Sequence, residues 1–137
     1  MENSAAGDVL SGKSVLVTGG TGSLGQALVR RLLSGEIGLP RKVVVFSRDE
    51  AKQHDMRISY LKYKAATDEV IYENFTRTVE FRVGDVRDYE SVVSVLRDCD
   101  VVFNAAAMKQ VPACEYFPYE ATRTNVGGAE NIVKAIR

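Results

Sequence analysis

The fold of this chain is decided by residues 14–25, which read SVLVTGGTGSLG. A run typical of a buried strand leads directly into glycines at positions 19, 22 and 25, and a helical pattern follows. In such a turn Gly19 permits the tight bend, Gly22 lets backbone amides approach a pyrophosphate, and Gly25 lets the helix pack closely. The segment predicts a dinucleotide-binding turn, with a purely structural glycine turn as the alternative. The residues predicted to surround the phosphates are Gly19, Thr21, Gly22, Ser23, Leu24 and Gly25.

Apolar runs alternate with helical patterns along the rest of the chain. The predicted strands are residues 14–18, 42–46 and 78–83, and residues 100–107 are predicted to form a fourth strand with its exit loop. The predicted helices are residues 24–35, 49–64, a helix capped by Asp88, and 126–136, with a loop at 67–76. Strands joined by crossover helices form a parallel sheet, so we predict an α/β fold, a Rossmann-like doubly wound parallel sheet of order 3-2-1-4, truncated after about four strands. Residues 1–12 would form an N-terminal extension and residues 13–137 an incomplete dinucleotide-binding Rossmann domain.

The composition gives little reason to expect nucleic acid or a membrane as a partner. The chain has 137 residues, of which 18 are basic and 18 acidic, so its net charge is zero. Cys99 and Cys114 form no CxxC pair, and His54 lacks companions for a metal site. Apolar stretches of five or six residues are far short of the roughly 20 that span a membrane, and the N-terminus lacks a signal peptide pattern. We therefore expect a cytoplasmic protein without a metal.

The end of the second strand bears on the choice between NAD and NADP. An acidic side chain there binds the ribose 2′-hydroxyl of NAD, whereas a basic one accommodates the 2′-phosphate of NADP. Residues 46–50 read FSRDE, so the hydroxyl of Ser47 and the guanidinium of Arg48 precede the carboxylates. Because arginine offers two parallel donors to a phosphate, this order favours NADP. In the alternative, Asp49 binds the ribose of NAD, and Arg48 and Lys52 belong to a solvated helix start.

The ends of the third and fourth strands complete the predicted cofactor site. Asp85, in the turn Gly84-Asp85-Val86, either accepts a hydrogen bond from the adenine amino group or is a turn residue that caps the next helix. Residues 104–107 read NAAA, and such small side chains leave room for the inner ribose and the nicotinamide.

Four segments resemble the extended short-chain dehydrogenase/reductase family, and most of all its nucleotide-sugar dehydratases of the UDP-N-acetylglucosamine 4,6-dehydratase type. They are TGGTGSLG from Thr18, SRDE from Ser47, GDVRD from Gly84, and NAAAMKQVPACEYFPYEATRTNVGGAENIV from Asn104. The last segment is the most specific, because the glycine motif alone would fit many relatives. The resemblance covers the chain from about Gly12 onward.

The resemblance implies a role for individual residues. The pyrophosphate would be held by Gly19, Gly22 and Gly25. The 2′-phosphate would be held by Ser47 and Arg48. The adenine would lie against Asp85 and Val86, and the nicotinamide against Ala105, Ala106 and Ala107. Asn125 matches an asparagine near the family's catalytic apparatus, and Met108 and Lys109 would face the nucleotide sugar.

The resemblance also implies an activity in surface polysaccharide biosynthesis. In this redox-neutral lyase reaction, NADP takes hydride from sugar C4, water leaves across C5 and C6, and the hydride returns to C6. The family uses a tyrosine with a lysine four residues later, which lowers the tyrosine pKa. Tyr60 and Lys64 have this spacing, but their helix follows the second strand, so we expect them to lie far from the nicotinamide.

The family's catalytic pair and sugar-binding domain would follow Arg137, so we expect no catalytic residue and no dehydratase activity in this chain. A non-catalytic NAD(P)-binding sensory module and a nucleotide-sugar epimerase or reductase of the same superfamily remain the alternatives. We also expect a homo-oligomer, because the apolar fourth strand, residues 101–106, would lie at a sheet edge.

Overall fold

A four-stranded parallel sheet forms the centre of the computed structural model, which describes residues 8–62, 68–106 and 128–136. The strands lie in the order β3-β2-β1-β4 and every pair is parallel. Their bounds are β1 Ser14–Thr18, β2 Lys42–Ser47, β3 Val79–Val83 and β4 Val101–Asn104. The order reverses at β1, since the chain runs outward to β3 on one side and returns to β4 on the other. This architecture confirms the predicted Rossmann-like fold.

Five helices connect or follow these strands within the described ranges. Their bounds are α1 Ser23–Ser34, α2 Glu50–Leu61, α3 Glu69–Thr78, α4 Tyr89–Leu96 and α5 Gly128–Ile136. Aspartates cap three of them, because the carboxylates of Asp49, Asp68 and Asp88 accept hydrogen bonds from backbone N–H groups in the first turns of α2, α3 and α4. Gly35, in the left-handed conformation with φ 80°, ends α1.

The sheet is covered on both faces. Alternate residues of a strand point to opposite sides, so Val15 and Val17 pack with α1, α2 and α3, whereas Leu16 packs with α4 and α5. All five residues of β1 are buried, as the sequence predicts for a central parallel strand. The rigid layer between the two sets of helices fixes the carboxyl ends of the strands relative to one another.

The prediction of a loop at residues 67–76 is wrong, because α3 occupies most of this segment. Ile71, Phe75 and Thr78 are buried at the i, i+4, i+7 spacing of one helix face. The ring of Phe75 stacks on Tyr60 of α2 with centroids 4.8 Å apart. The many polar residues between these positions hide the spacing in the sequence, and the packed face of α3 stabilises the helix nonetheless.

The helix predicted over residues 24–35 is observed as α1, Ser23–Ser34. Its buried residues are Gly25, Val29, Leu32 and Leu33, whereas Leu24 in its first turn is 51% exposed.

Candidate nucleotide-binding site

A cleft of about 260 Å³ lies at the carboxyl ends of the four strands. Ligands of open α/β sheets bind at such a crevice, where the strand order reverses. Most of the sequence-predicted site residues within the described ranges line it, with the exceptions of Ser23, Leu24 and Gly25. The lining residues are Gly19, Thr21, Gly22, Phe46, Ser47, Arg48, Asp49, Lys52, Gly84, Asp85, Val86, Ala105 and Ala106.

The glycine turn forms one wall of the cleft, and its glycines have different roles. Gly19 has φ 65°, and a Cβ there would lie 2.7 Å from the backbone of Ala105 and Ala106. A Cβ on Gly25 would overlap the carbonyl oxygen of Gly19 and lie 2.5 Å from the Cα of Gly20. A Cβ on Gly22 would make only an ordinary contact of 3.5 Å within the described structure. The fold itself therefore requires Gly19 and Gly25. Gly22 is not required for packing, but the absence of a side chain there leaves space in the cleft for a ligand.

The helix α1 begins directly after the glycine turn, at the edge of the cleft. Its N-cap is Gly22, which supplies no side-chain cap, and the first turn carries no acidic residue. The first N–H groups of a helix lack partners within the helix, and the helix dipole makes this end attractive to anions. The side-chain amide of Gln26 donates to the Thr21 carbonyl at 2.7 Å and ties the turn to the helix. A phosphate group fits this end of the cleft.

The end of β2 forms a second wall that carries positive charge. Arg48 and Lys52 are exposed and line the cleft, and their side chains have no hydrogen-bond or ion-pair partner within the described part of the chain. Asp49 instead caps α2, where its Oδ1 accepts from the Lys52 N–H at 3.1 Å. Ser47 is buried with 8% of its surface exposed, and its hydroxyl oxygen accepts from Nε2 of Gln53 at 2.9 Å. Within the described residues, this wall therefore carries two cationic side chains without a bonding partner, Arg48 and Lys52, beside the Asp49 carboxylate, which is already hydrogen-bonded to α2.

The turn after β3 holds Asp85 in an ion pair with Arg87. The guanidinium donates to both carboxylate oxygens, the shortest bond being 2.7 Å, and the Arg87 N–H donates to Oδ1 at 2.9 Å. Partial burial alone would raise the pKa of Asp85, but the hydrogen bonds and charge of Arg87, with the nearby charge of Arg48, outweigh it and lower this pKa. The Asp85 carboxylate is therefore held in its ionised form at the cleft, and α4 is capped by Asp88 and not by Asp85.

Two side chains that the sequence analysis did not single out fix the neighbouring loops. Asn104, at the end of β4, accepts at its Oδ1 from the Thr18 hydroxyl at 2.6 Å, which joins β4 to β1 beside the cleft. Asn131 of α5 donates from Nδ2 to the Val86 carbonyl at 2.9 Å. Each bond joins elements that are far apart in sequence, so neither leaves a local signal.

Several predicted features lie away from the cleft or outside the described residues. Tyr60 is buried in the core, where burial raises its pKa, the opposite of what a YxxxK tyrosine needs. His54 is exposed, and the described residues contain no cluster of potential metal ligands. None of the helices in the described ranges is both long and apolar enough to cross a membrane. The predicted residues outside the described ranges are Lys64, Ala107, Met108, Lys109, Cys114 and Asn125.

The parallel sheet, with a glycine turn and a cleft at its carboxyl edge, defines a Rossmann-like nucleotide-binding domain. Residues 15–137 match the family described as polysaccharide biosynthesis protein, and the chain belongs to this family, within the extended short-chain dehydrogenases/reductases. The predicted membership of the extended short-chain dehydrogenase/reductase family is thereby confirmed. A UDP-glucose 4-epimerase of Rickettsia bellii (strain OSU 85-389) is 45% identical over 124 residues, which are 90% of this chain and 32% of that protein. The chain therefore spans about a third of the length of the curated relatives it matches.

Solved structures agree with this assignment. Pen from Bacillus thuringiensis superposes with a TM-score of 0.77 at 36% identity, over 92% of this chain and 34% of that one. DesIV, a dTDP-glucose 4,6-dehydratase from Streptomyces venezuelae solved with NAD and TYD bound, gives a TM-score of 0.66 at 27% identity, over 89% and 35% of the two chains. The relatives thus include both epimerases and dehydratases.

Proposed function

We propose that the cleft binds NADP. The observation that carries this proposal is the charge of the wall after β2, where Arg48 and Lys52 lack partners among the described residues. A 2′-phosphate fits two free cations, and arginine can contact it through two donors. The glycine turn and the N-terminus of α1 fit the pyrophosphate, and Asp85 with Val86 fits the adenine. When bound, the nicotinamide supplies a hydride acceptor and donor.

NAD is the competing cofactor, and DesIV was solved with it bound. In this chain the residue that would bind the ribose of NAD is Asp49, but one of its oxygens already caps α2. If the other Asp49 oxygen bound the ribose hydroxyls of NAD, the ribose would lie beside Arg48 and Lys52. NAD has no phosphate at this position to neutralise their charge. The arrangement of charges therefore favours the phosphorylated cofactor.

The choice is tested by calorimetric titration of the wild type and Arg48→Ala with NADP+ and NAD+. Loss of the charged contact is expected to cost about 1.5–3 kcal/mol, at least tenfold in the dissociation constant of NADP+, with little change for NAD+. Arg41→Ala is the matched control, because Arg41 is an exposed arginine that precedes β2 at the opposite end of the strand. If both variants behave alike, or if Arg48→Ala weakens both cofactors equally, Arg48 does not contact a 2′-phosphate.

For the whole protein we propose a nucleotide-sugar 4,6-dehydratase of the UDP-N-acetylglucosamine type, acting in the cytoplasm in surface polysaccharide biosynthesis. The family description and the similarity to DesIV support this proposal. The second candidate is a nucleotide-sugar 4-epimerase, which the 45% identity to the Rickettsia bellii protein favours. In both, the described residues would bind and orient the cofactor at the carboxyl edge of the sheet.

The two reactions are distinguished by the mass of the product. Dehydration removes one water from the nucleotide sugar, whereas epimerisation leaves the mass unchanged. We expect mass spectrometry after incubation of the whole protein with UDP-N-acetylglucosamine and NADP+ to show the lighter, dehydrated product. An isomer of unchanged mass would support the epimerase, and no product despite tight NADP+ binding would support a non-catalytic module.

A further inference from the structure

Gln53 is a buried polar residue beside the cleft that the proposed cofactor contacts leave without a role. It lies in α2 with only 5% of its surface exposed. Its Nε2 is 2.9 Å from the Ser47 hydroxyl oxygen and 2.9 Å from the Arg82 carbonyl oxygen, with the Ser47 carbonyl further away at 3.4 Å. One amide group therefore connects the end of β2, the end of β3 and the start of α2.

The surroundings of Gln53 fix the direction of these hydrogen bonds. A backbone carbonyl can only accept, so the amide nitrogen and not the amide oxygen must face Arg82. The amide nitrogen carries two hydrogens, and the two short distances use both of them. The Ser47 hydroxyl is therefore the acceptor in its bond with Gln53, and this assignment follows from the neighbouring carbonyl.

This bond decides where the hydroxyl proton of Ser47 goes. Ser47 has one proton to donate, and its Oγ has no other partner among the described residues. Because Ser47 also lines the cleft, its proton is available to a ligand there. A phosphate dianion is purely an acceptor and matches such a donor, whereas a ribose hydroxyl gains less because it also needs an acceptor for its own proton.

We propose that Gln53 is a positioning residue that sets the cofactor preference by holding the Ser47 hydroxyl as a donor towards a 2′-phosphate. The inference rests on the proposed binding of NADP. It adds a specificity determinant that does not touch the cofactor itself. The main chain ends of β2 and β3 also contact the same amide, so the position of the hydroxyl is tied to the sheet and not to the exposed helix start.

The test measures the affinity of two nucleotides that differ only in the 2′-phosphate. Adenosine 2′,5′-bisphosphate and adenosine 5′-monophosphate are titrated by calorimetry into the wild type, Ser47→Ala, Gln53→Met and the double variant. Each single variant should weaken the bisphosphate by about tenfold, the size of a hydrogen bond to a charged group, and leave the monophosphate within about twofold. In the double variant the substitution of Gln53 should cause no further loss, because the hydroxyl it positions is gone.

A matched control separates positioning from general damage to the fold. Asn74 donates from Nδ2 to the Leu33 carbonyl at 2.7 Å, a part-buried bond between α3 and α1 away from the cleft residues. Asn74→Leu should lower the thermal stability and leave the affinities for both nucleotides unchanged. If Gln53→Met behaves like this control, or weakens both nucleotides equally, or acts undiminished in the Ser47→Ala background, Gln53 is merely structural and the inference is overturned.

The preference of the wild type and an NMR measurement provide two further tests. If the wild type binds both nucleotides equally, the proposed NADP binding fails and the inference fails with it, whereas a wild-type preference that Gln53→Met leaves intact overturns the inference alone. If Gln53→Met does not fold, NMR of the wild type replaces it. The bisphosphate should then shift a side-chain amide proton of Gln53 and the monophosphate should not; the absence of that difference overturns the inference.

Discussion

Replacement of Gly25 by alanine tests whether the glycine turn is built as described. Alanine favours a helix over glycine by about 1 kcal/mol, so helix propensity alone predicts stabilisation. The added methyl group, however, would overlap the Gly19 carbonyl and lie 2.5 Å from the Cα of Gly20, nearly 1 Å inside ordinary van der Waals contact. Both neighbours are backbone atoms of a turn held between β1 and α1, so they cannot move aside cheaply. We expect a net loss of about 2 kcal/mol or more.

The assay is urea unfolding followed by circular dichroism, with Gly22→Ala as the matched control. Gly22 has φ −78° and ψ 175°, which alanine adopts readily, and its new methyl group would meet only an ordinary contact of 3.5 Å. Gly22→Ala should therefore stay within about 1 kcal/mol of the wild type yet lose affinity for NADP+, because the methyl group projects at the phosphate end of the cleft. A Gly25→Ala variant as stable as the wild type would refute the assigned packing.

Three further predictions follow from individual contacts. Asn131→Leu removes the bond to the Val86 carbonyl, so it should cost about 1 kcal/mol in urea unfolding and weaken binding of adenosine 5′-monophosphate; unchanged binding would show that α5 does not position this loop. The pKa of Asp85 is lower in the folded state than its unfolded value of about 4, so its ionised form stabilises the fold above about pH 4. This stability is lost as pH falls through the lower folded pKa. In urea unfolding, the advantage of the wild type over Asp85→Asn should therefore shrink below about pH 4 and not stay constant. Among the described strands β4 pairs only with β1, so light scattering across a concentration series should reveal self-association, and a strict monomer at high concentration would contradict it.

The strands and the glycine turn could be predicted because their signals are local. A run such as Val43–Val45 is typical of a strand buried on both faces, and glycines at fixed spacing after β1 indicate the turn. The helix α3 could not be predicted in this way, because polar residues separate Ile71 from Phe75 and only the packing of Phe75 against Tyr60 shows which face of the helix is buried.

The sequence predicted which backbone segments form the cleft, but it did not predict the side-chain hydrogen bonds beside it. The residues that follow each strand reach the cleft because parallel strands end at one edge, so Arg48, Asp85 and Ala105 are found there. The sequence carries no signal for the bond of Gln53 to the Arg82 carbonyl or of Asn131 to the Val86 carbonyl, because these partners lie 29 and 45 residues away along the chain. Such single polar contacts follow no period and become visible only when the elements are packed.

The central claim, that the wall after β2 selects a 2′-phosphate, is tested most directly by the ratio of two dissociation constants. Calorimetric titration of the unmodified chain with NADP+ and with NAD+ measures both under the same conditions. With Arg48 and Lys52 free to contact the phosphate and Asp49 committed to α2, NADP+ should bind at least about tenfold more tightly. Equal affinities, or tighter binding of NAD+, would contradict the account and show that Asp49 binds the ribose.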